Sequence, residues 1–251
     1  MSVGPSGAKP LLAVEHVSLS FGGVKAVTDI SFSVRRGEIC ALIGPNGAGK
    51  SSLLNVVNGV YRPQVGRVVY DGLVTSRSAP RDAALGGIAR TFQNVALFKG
   101  MSVLDNVLTG RSVRVRAGWI EQVLGLPRAR AEADLHRRRV EEILAFLHIQ
   151  PYRDTLVGKL PYGLQKRVEL ARAIASEPQL LLLDEPMAGM NLEEKMDMSC
   201  FILDIRGPQV PIDVEDGHEL LHPRHQSGPG DHGGSDRTRS GRGDGPLRPR
   251  G

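Results

Sequence analysis

Two stretches near the start of the chain alternate apolar and polar residues, Val17-Ser18-Leu19-Ser20-Phe21 and Ile30-Ser31-Phe32-Ser33-Val34, with Gly22-Gly23 between them. A period of two buries one face only, so the pattern predicts half-buried antiparallel strands. Arg67-Val68-Val69-Tyr70, closed by Asp71-Gly72, predicts another strand and turn. Two other apolar runs are continuous: Ile39-Cys40-Ala41-Leu42-Ile43 and Leu180-Leu181-Leu182-Leu183. The leucine run fits a parallel strand covered on both faces, and it is expected to lie beside the first run. Between them the spacing turns helical, with Val103, Val107 and Leu108 in one segment and Val140, Ile143, Leu144 and Leu147 in another. The last strongly patterned helix runs from Leu192 to Arg206, with Met196, Cys200, Phe201 and Ile202 as its expected buried face. A core strand should follow. Val210-Pro211-Ile212-Asp213-Val214 instead holds a proline and an aspartate, which resist a central parallel position. From Pro223 onward Leu247 is the only large aliphatic residue and no aromatic occurs, so that segment is expected to be disordered.

With 251 residues, 41% of them hydrophobic and 24% charged, the chain has the make-up of an ordinary globular protein. No stretch approaches the roughly 18 to 20 uninterrupted apolar residues of a membrane span, and the start lacks a signal peptide's apolar core. A cytoplasmic location is expected. Of the two cysteines, Cys40 falls within a predicted strand, which favours a buried thiol over a disulfide. The net charge is +5, but Pro223 to Gly251 holds six arginines against three aspartates, a surplus of three in that segment alone. A basic tail attracts polyanions without reading them, so no specific nucleic-acid partner is expected. The arginine-rich stretch from Arg111 to Arg139 reads either as a solvated helix face or as a docking surface.

The chemistry begins at Gly44-Pro45-Asn46-Gly47-Ala48-Gly49-Lys50-Ser51, a full match to G-x-x-x-x-G-K-[ST] set between an apolar run and Ser52-Leu53-Leu54-Asn55-Val56-Val57. Strand, glycine loop and helix in that order make a phosphate cradle. Backbone N–H groups turn inward where glycine removes the side chain, and the positive end of the helix faces the anion. Lys50 then reaches the β- and γ-phosphates, and the Ser51 hydroxyl can ligate Mg²⁺. Downstream, Asp184 and Glu185 end the leucine run. Asp184 there can hold Mg²⁺, and Glu185 can orient and deprotonate an attacking water.

Three further segments resemble the ATPase subunits of ABC transporters. Arg90-Thr91-Phe92-Gln93-Asn94 places Gln93 where that family keeps a glutamine near Mg²⁺ and water. Leu160-Pro161-Tyr162-Gly163-Leu164-Gln165 stands where the Leu-Ser-Gly-Gly-Gln signature is kept, and Asp184-Glu185-Pro186-Met187-Ala188-Gly189-Met190-Asn191 looks like the Walker B motif plus D-loop. Phe21-Gly22-Gly23, Leu160-Pro161-Tyr162-Gly163 and Ala188-Gly189-Met190-Asn191 are most similar to the subunits of branched-chain amino-acid importers.

The resemblance implies an α/β fold: a P-loop NTPase core with an antiparallel β subdomain and an inserted α-helical subdomain. It divides the chain into core residues 11–93 and 166–206, a helical subdomain over 94–165, and an atypical tail over 207–251. It further implies a head-to-tail dimer with the same or another ATPase subunit, membrane permease partners, and indirectly a solute-binding protein. ATP would stack on Phe21, rest its phosphates on Gly44 to Ser52, and meet Gly163 of the partner's signature. Mg²⁺ would be held by Ser51, Gln93 and Asp184.

The departures matter too. Pro161 and Tyr162 replace the signature's serine and first glycine, Leu164 replaces its glutamine, and Asn191 replaces the usual D-loop aspartate. His218 stands at the count expected for the switch histidine, but its setting, Glu215-Asp216-Gly217-His218-Glu219, lacks the preceding apolar strand. The arginine-, glycine- and proline-rich end reads as an out-of-frame replacement of the family's usual terminus. Two functions follow: an ATP-hydrolysing transport motor, or a degraded module that binds ATP without turning it over. A GTPase is disfavoured because no Asn-Lys-x-Asp base-reading motif occurs. A DNA-repair ATPase would carry a long coiled coil or a second cassette, and neither is present.

Overall fold

The computed structural model describes residues 9–76, 79–91, 96–205 and 210–212. In chain order the elements are β1 (Leu12–Phe21), β2 (Val24–Val34), β3 (Ile39–Ala41), α1 (Lys50–Val57), β4 (Val65–Tyr70), β5 (Leu73–Val74), α2 (Pro80–Leu85), β6 (Ile88–Arg90) and α3 (Val103–Gly110). They continue with α4 (Trp119–Val123), α5 (Pro127–Phe146), α6 (Tyr162–Ala175), β7 (Leu180–Leu182), α7 (Leu192–Asp204) and β8 (Val210–Ile212).

The alternating segments form an antiparallel sheet in the order β2-β1-β4-β5, as their period of two predicts. The continuous apolar runs become short parallel strands, with β3 paired to β8 and β6 to β7. The expectation that the two runs lie side by side is corrected: β8 hydrogen-bonds to β3 and packs against β7. Val210-Pro211-Ile212 does form a strand, with Pro211 opposite Cys40, but in a two-stranded parallel ladder rather than at the centre of a sheet. Alternate residues of a strand point their backbone groups to opposite sides, so a proline is tolerated where the N–H it lacks faces away from the partner.

β7 joins two hydrophobic cores. Leu180 and Leu182 pack with Leu12, Val14, Leu54 and Val68 on the β-sheet side. Leu181 and Leu183 pack with Val107, Val140, Leu144 and Val168 on the helical side. All four leucines are buried, which is the two-faced burial that a continuous apolar run predicts. The helical insertion also forms as its spacing predicts, with Val103, Val107, Val140, Leu144 and Leu147 buried.

The buried face of α7 differs from expectation. Met198, Phe201 and Ile202 are buried, whereas Met196 and Cys200 are exposed. Positions 198, 201 and 202 share a helix face by the i, i+3, i+4 rule, and 196 falls on the other side. Cys40 is a half-buried free thiol, its pKa raised by burial and then by the nearby Glu38 charge.

The arginine-rich stretch is neither wholly a solvated face nor wholly free for docking. Arg111 is buried and donates to the Ala175 carbonyl at 2.8 Å, while Arg114 donates to the carbonyls of Ser176 and Glu177 at 2.8 and 2.6 Å. These guanidinium groups satisfy carbonyls at and just beyond the end of α6, where the helix itself supplies no donors and its dipole favours positive charge.

Candidate nucleotide-binding site

The loop between β3 and α1 is built around Gly49, which precedes the first residue of α1 with φ of 85°. A side chain there would collide with the backbone carbonyl of Ala26 in β2, so glycine is required by both conformation and space. α1 therefore begins at Lys50 with its N-terminal N–H groups opening toward the loop. The Lys50 ammonium donates to the carbonyls of Gly44 at 2.6 Å and Pro45 at 3.0 Å, which holds it over the loop. Asn46, Gly47 and Ala48 lie in the same loop, and Ser52 lies in the first turn of α1.

The second half of the site arrives from β7. The Ser51 hydroxyl donates to Asp184 Oδ1 at 3.1 Å, joining positions 133 residues apart in the chain. Asp184 is buried, and its other oxygen accepts from Arg90 Nη2 at 2.8 Å. Arg90 also bonds the Asn55 side chain on α1, and Thr91 Oγ1 accepts from the Asp184 N–H at 3.4 Å. Glu185 follows with φ of 47°, a left-handed conformation that costs a non-glycine residue free energy and turns the chain sharply at the strand's end. The two carboxylates thus part: Asp184 is buried against Ser51 and Arg90, while Glu185 is half-buried.

Phe21 is 45% exposed at the end of β1 and meets Tyr61 edge to face, with ring centroids 5.0 Å apart. It is not a core residue. Gly163 is brought to a different place, the first turn of α6, buried against the Glu194 carboxylate at the start of α7. Its neighbour Tyr162 packs against Gly189, so the signature-like and D-loop-like segments touch within one chain. Gln93 and His218, with the tail from 213 onward, lie outside the described residues.

Arg90, Asn55 and Thr91 had no role in the sequence reading. Arg90 and Thr91 stand immediately before Phe92-Gln93, but nothing in the sequence marks Arg90 as the partner of Asp184 before β6 and β7 pair. Arg90 also lines a cleft of about 300 Å³, with Asn58 and Arg172 from the core residues and Thr109 and Ser112 from the helical insertion.

The donor set suits a triphosphate with a hard cation. A hydroxyl and a carboxylate oxygen 3.1 Å apart, at the mouth of a glycine loop, are oxygen ligands of the kind Mg²⁺ takes alongside phosphate oxygens. Arg90 occupies the far oxygen of Asp184 and leaves the near one toward Ser51.

Residues 27–188 match the protein family described as ABC transporter. The chain belongs to the ABC transporter family. It is 34% identical over 199 residues to the high-affinity branched-chain amino acid transport ATP-binding protein LivG of Salmonella typhimurium, covering 79% of this chain and 78% of that protein. To the corresponding protein BraF of Pseudomonas aeruginosa it is 32% identical, with the same coverage. A solved ABC-transporter ATP-binding cassette in its ADP conformation superposes with a TM-score of 0.70 at 29% identity, covering 82% of this chain and 81% of that one. The fold is therefore that of an ABC ATPase cassette, an α/β P-loop NTPase with an antiparallel sheet. Among the described residues no helix is long and apolar enough to cross a membrane.

Proposed function

We propose that this ABC-family chain binds and hydrolyses ATP with Mg²⁺ as the motor subunit of an importer whose cargo is branched-chain amino acids. The observation that carries the reading is the junction of Ser51 with Asp184 beneath the Lys50 loop. Mg²⁺ there would be held by Ser51 and Asp184, completed by Gln93, and would neutralise phosphate charge. Lys50 would exchange its loop carbonyls for β- and γ-phosphate oxygens, stabilising charge that develops as the terminal phosphoryl leaves. Glu185 would orient and deprotonate the attacking water, with His218 as the candidate contact to the γ-phosphate. Phe21, beside Tyr61, offers an exposed aromatic face for adenine.

Gly163 would face ATP held by a second ATPase subunit, and the permease subunits would dock from outside. The cleft between core and insertion supports such docking. Arg90 lines it and also holds Asp184, so pressure from a permease segment there would bear directly on the Mg²⁺ ligand. A periplasmic or extracellular solute-binding protein would act through those permeases, and the cassette would sit on the inner face of the membrane. The cargo class rests on likeness to the branched-chain relatives.

Titration of the purified chain with a fluorescent ATP analogue and Mg²⁺ tests the cradle. Lys50→Ala should weaken binding at least tenfold, and unchanged affinity would reject the assignment. Turnover is tested separately by steady-state phosphate release. Glu185→Gln should lower the rate by two orders of magnitude or more, and a wild-type rate no higher than the mutant's would assign the chain to the binding-only alternative.

A further inference from the structure

Helix α4 is amphipathic the wrong way round for a globular protein. Trp119, Ile120, Val123 and Leu124 are 74%, 53%, 76% and 66% exposed. They stand at i, i+1, i+4 and i+5, so they share one face, and the exposed Val115 and Leu126 flank it in the chain. Its polar side chains instead brace the segment. Glu121 accepts from the Gly118 N–H at 2.8 Å, and Gln122 donates to the Ala117 carbonyl at 2.8 Å. From α5, the two oxygens of Glu132 accept from the N–H groups of Arg116 and Ala117, each at 2.8 Å. A single exposed leucine needs no explanation, but a contiguous apolar face held in fixed shape marks an interaction surface.

Charge indicates what covers it. Residues 111–139 hold eight arginines against three carboxylates, an excess of five. Arg116, Arg128 and Arg130 are exposed on either side of α4 in the chain. A tryptophan and short aliphatic side chains bordered by arginines match the layering of a lipid headgroup region. The indole favours the interface, the aliphatic groups reach the acyl boundary, and guanidinium groups meet lipid phosphates.

We propose that the α4 segment is a lipid-contacting foot that inserts Trp119, Ile120, Val123 and Leu124 into an anionic membrane surface. This contact is made by the cassette itself, separately from any permease, and does not depend on the ATPase reading.

Trp119 is the chain's only tryptophan, so its fluorescence reports the site directly. Adding phosphatidylglycerol–phosphatidylcholine vesicles to the full-length protein should blue-shift the emission and shield it from acrylamide, with little change on pure phosphatidylcholine. Val123→Asp with Leu124→Asp should weaken vesicle partitioning at least tenfold while ATP binding, measured in parallel, stays intact. Should that double variant fail to fold, Arg116→Gln with Arg128→Gln carries the test and should reduce partitioning several-fold. Vesicle sedimentation without a shift at Trp119 would assign binding to the basic tail and overturn the proposal. An equal shift on neutral vesicles, or a shift that occurs only with membranes containing permease, would overturn it as well.

Discussion

Arg90 is fixed between two partners, Asp184 on β7 and Asn55 on α1, with its side chain and that of Asp184 only 5% and 2% exposed. A buried pair of this kind contributes little over an apolar pair, but removing one member strands the other charge. Arg90→Leu should therefore cost about 3–5 kcal/mol of unfolding free energy, read from urea denaturation. Arg90→Lys should recover only part of it, because one ammonium cannot span two partners as a planar guanidinium does. A loss below about 1 kcal/mol, as expected of a surface pair, would contradict the buried geometry. The proposed cradle, Gly44 to Ser51, was legible in the sequence because the glycine loop is local: eight consecutive residues carry nearly all its geometry. Arg90 was not, because its role exists only once β6 and β7 pair.

Around the end of α6, a cluster of charged groups ties three elements together. Arg111, just past α3, donates Nε–H to His136 Nδ1 on α5 at 3.1 Å and pairs with Glu177 at 2.9 Å. An imidazole that accepts at Nδ1 must be neutral or lose that bond. Burial, followed by the Arg111 charge, lowers the His136 pKa below 6.5. Burial works to raise Glu177, but the hydrogen bond and charge of Arg111, with Arg114 and Arg139, lower it below 4.5. Glu132 is lowered chiefly by the backbone N–H groups of Arg116 and Ala117. Since the folded His136 binds its proton less readily than the unfolded chain does, its contribution is present above pH 6.5 and is lost as pH falls through 6.5 toward the folded value. The carboxylates add a second loss, below their ordinary range near 4.5. The urea midpoint should fall between pH 7.5 and 5.5, and His136→Gln should flatten that fall. An unchanged slope in the variant would remove His136 as its source. Helical spacing foretold α3 and α5 because their period is a local property. The arginines between them, which reach α6 some 60 residues away, could only be read as generic charge.

For the molecule as a whole, β7 is the shared wall of two cores. Leu181→Ala removes packing from the helical side and Leu182→Ala from the sheet side, each expected to cost about 2–5 kcal/mol. Both should shift a single cooperative transition, seen alike by circular dichroism and by calorimetry, since neither core closes without this strand. Two separated transitions would show that the cores unfold independently. Each layer's existence was written in the hydrophobic periods: alternation for the antiparallel sheet, continuity for β3 and β7, helical spacing for the insertion. Strand order was not, for a parallel strand's pattern records burial on both faces and carries no mark of its neighbour. Short-range patterning thus set the elements, the phosphate loop and the acidic strand end. Their assembly put β8 rather than β7 beside β3, set Ser51 against Asp184, gave Arg90 its place, and left the apolar face of α4 uncovered, because these depend on pairings between residues far apart in the chain.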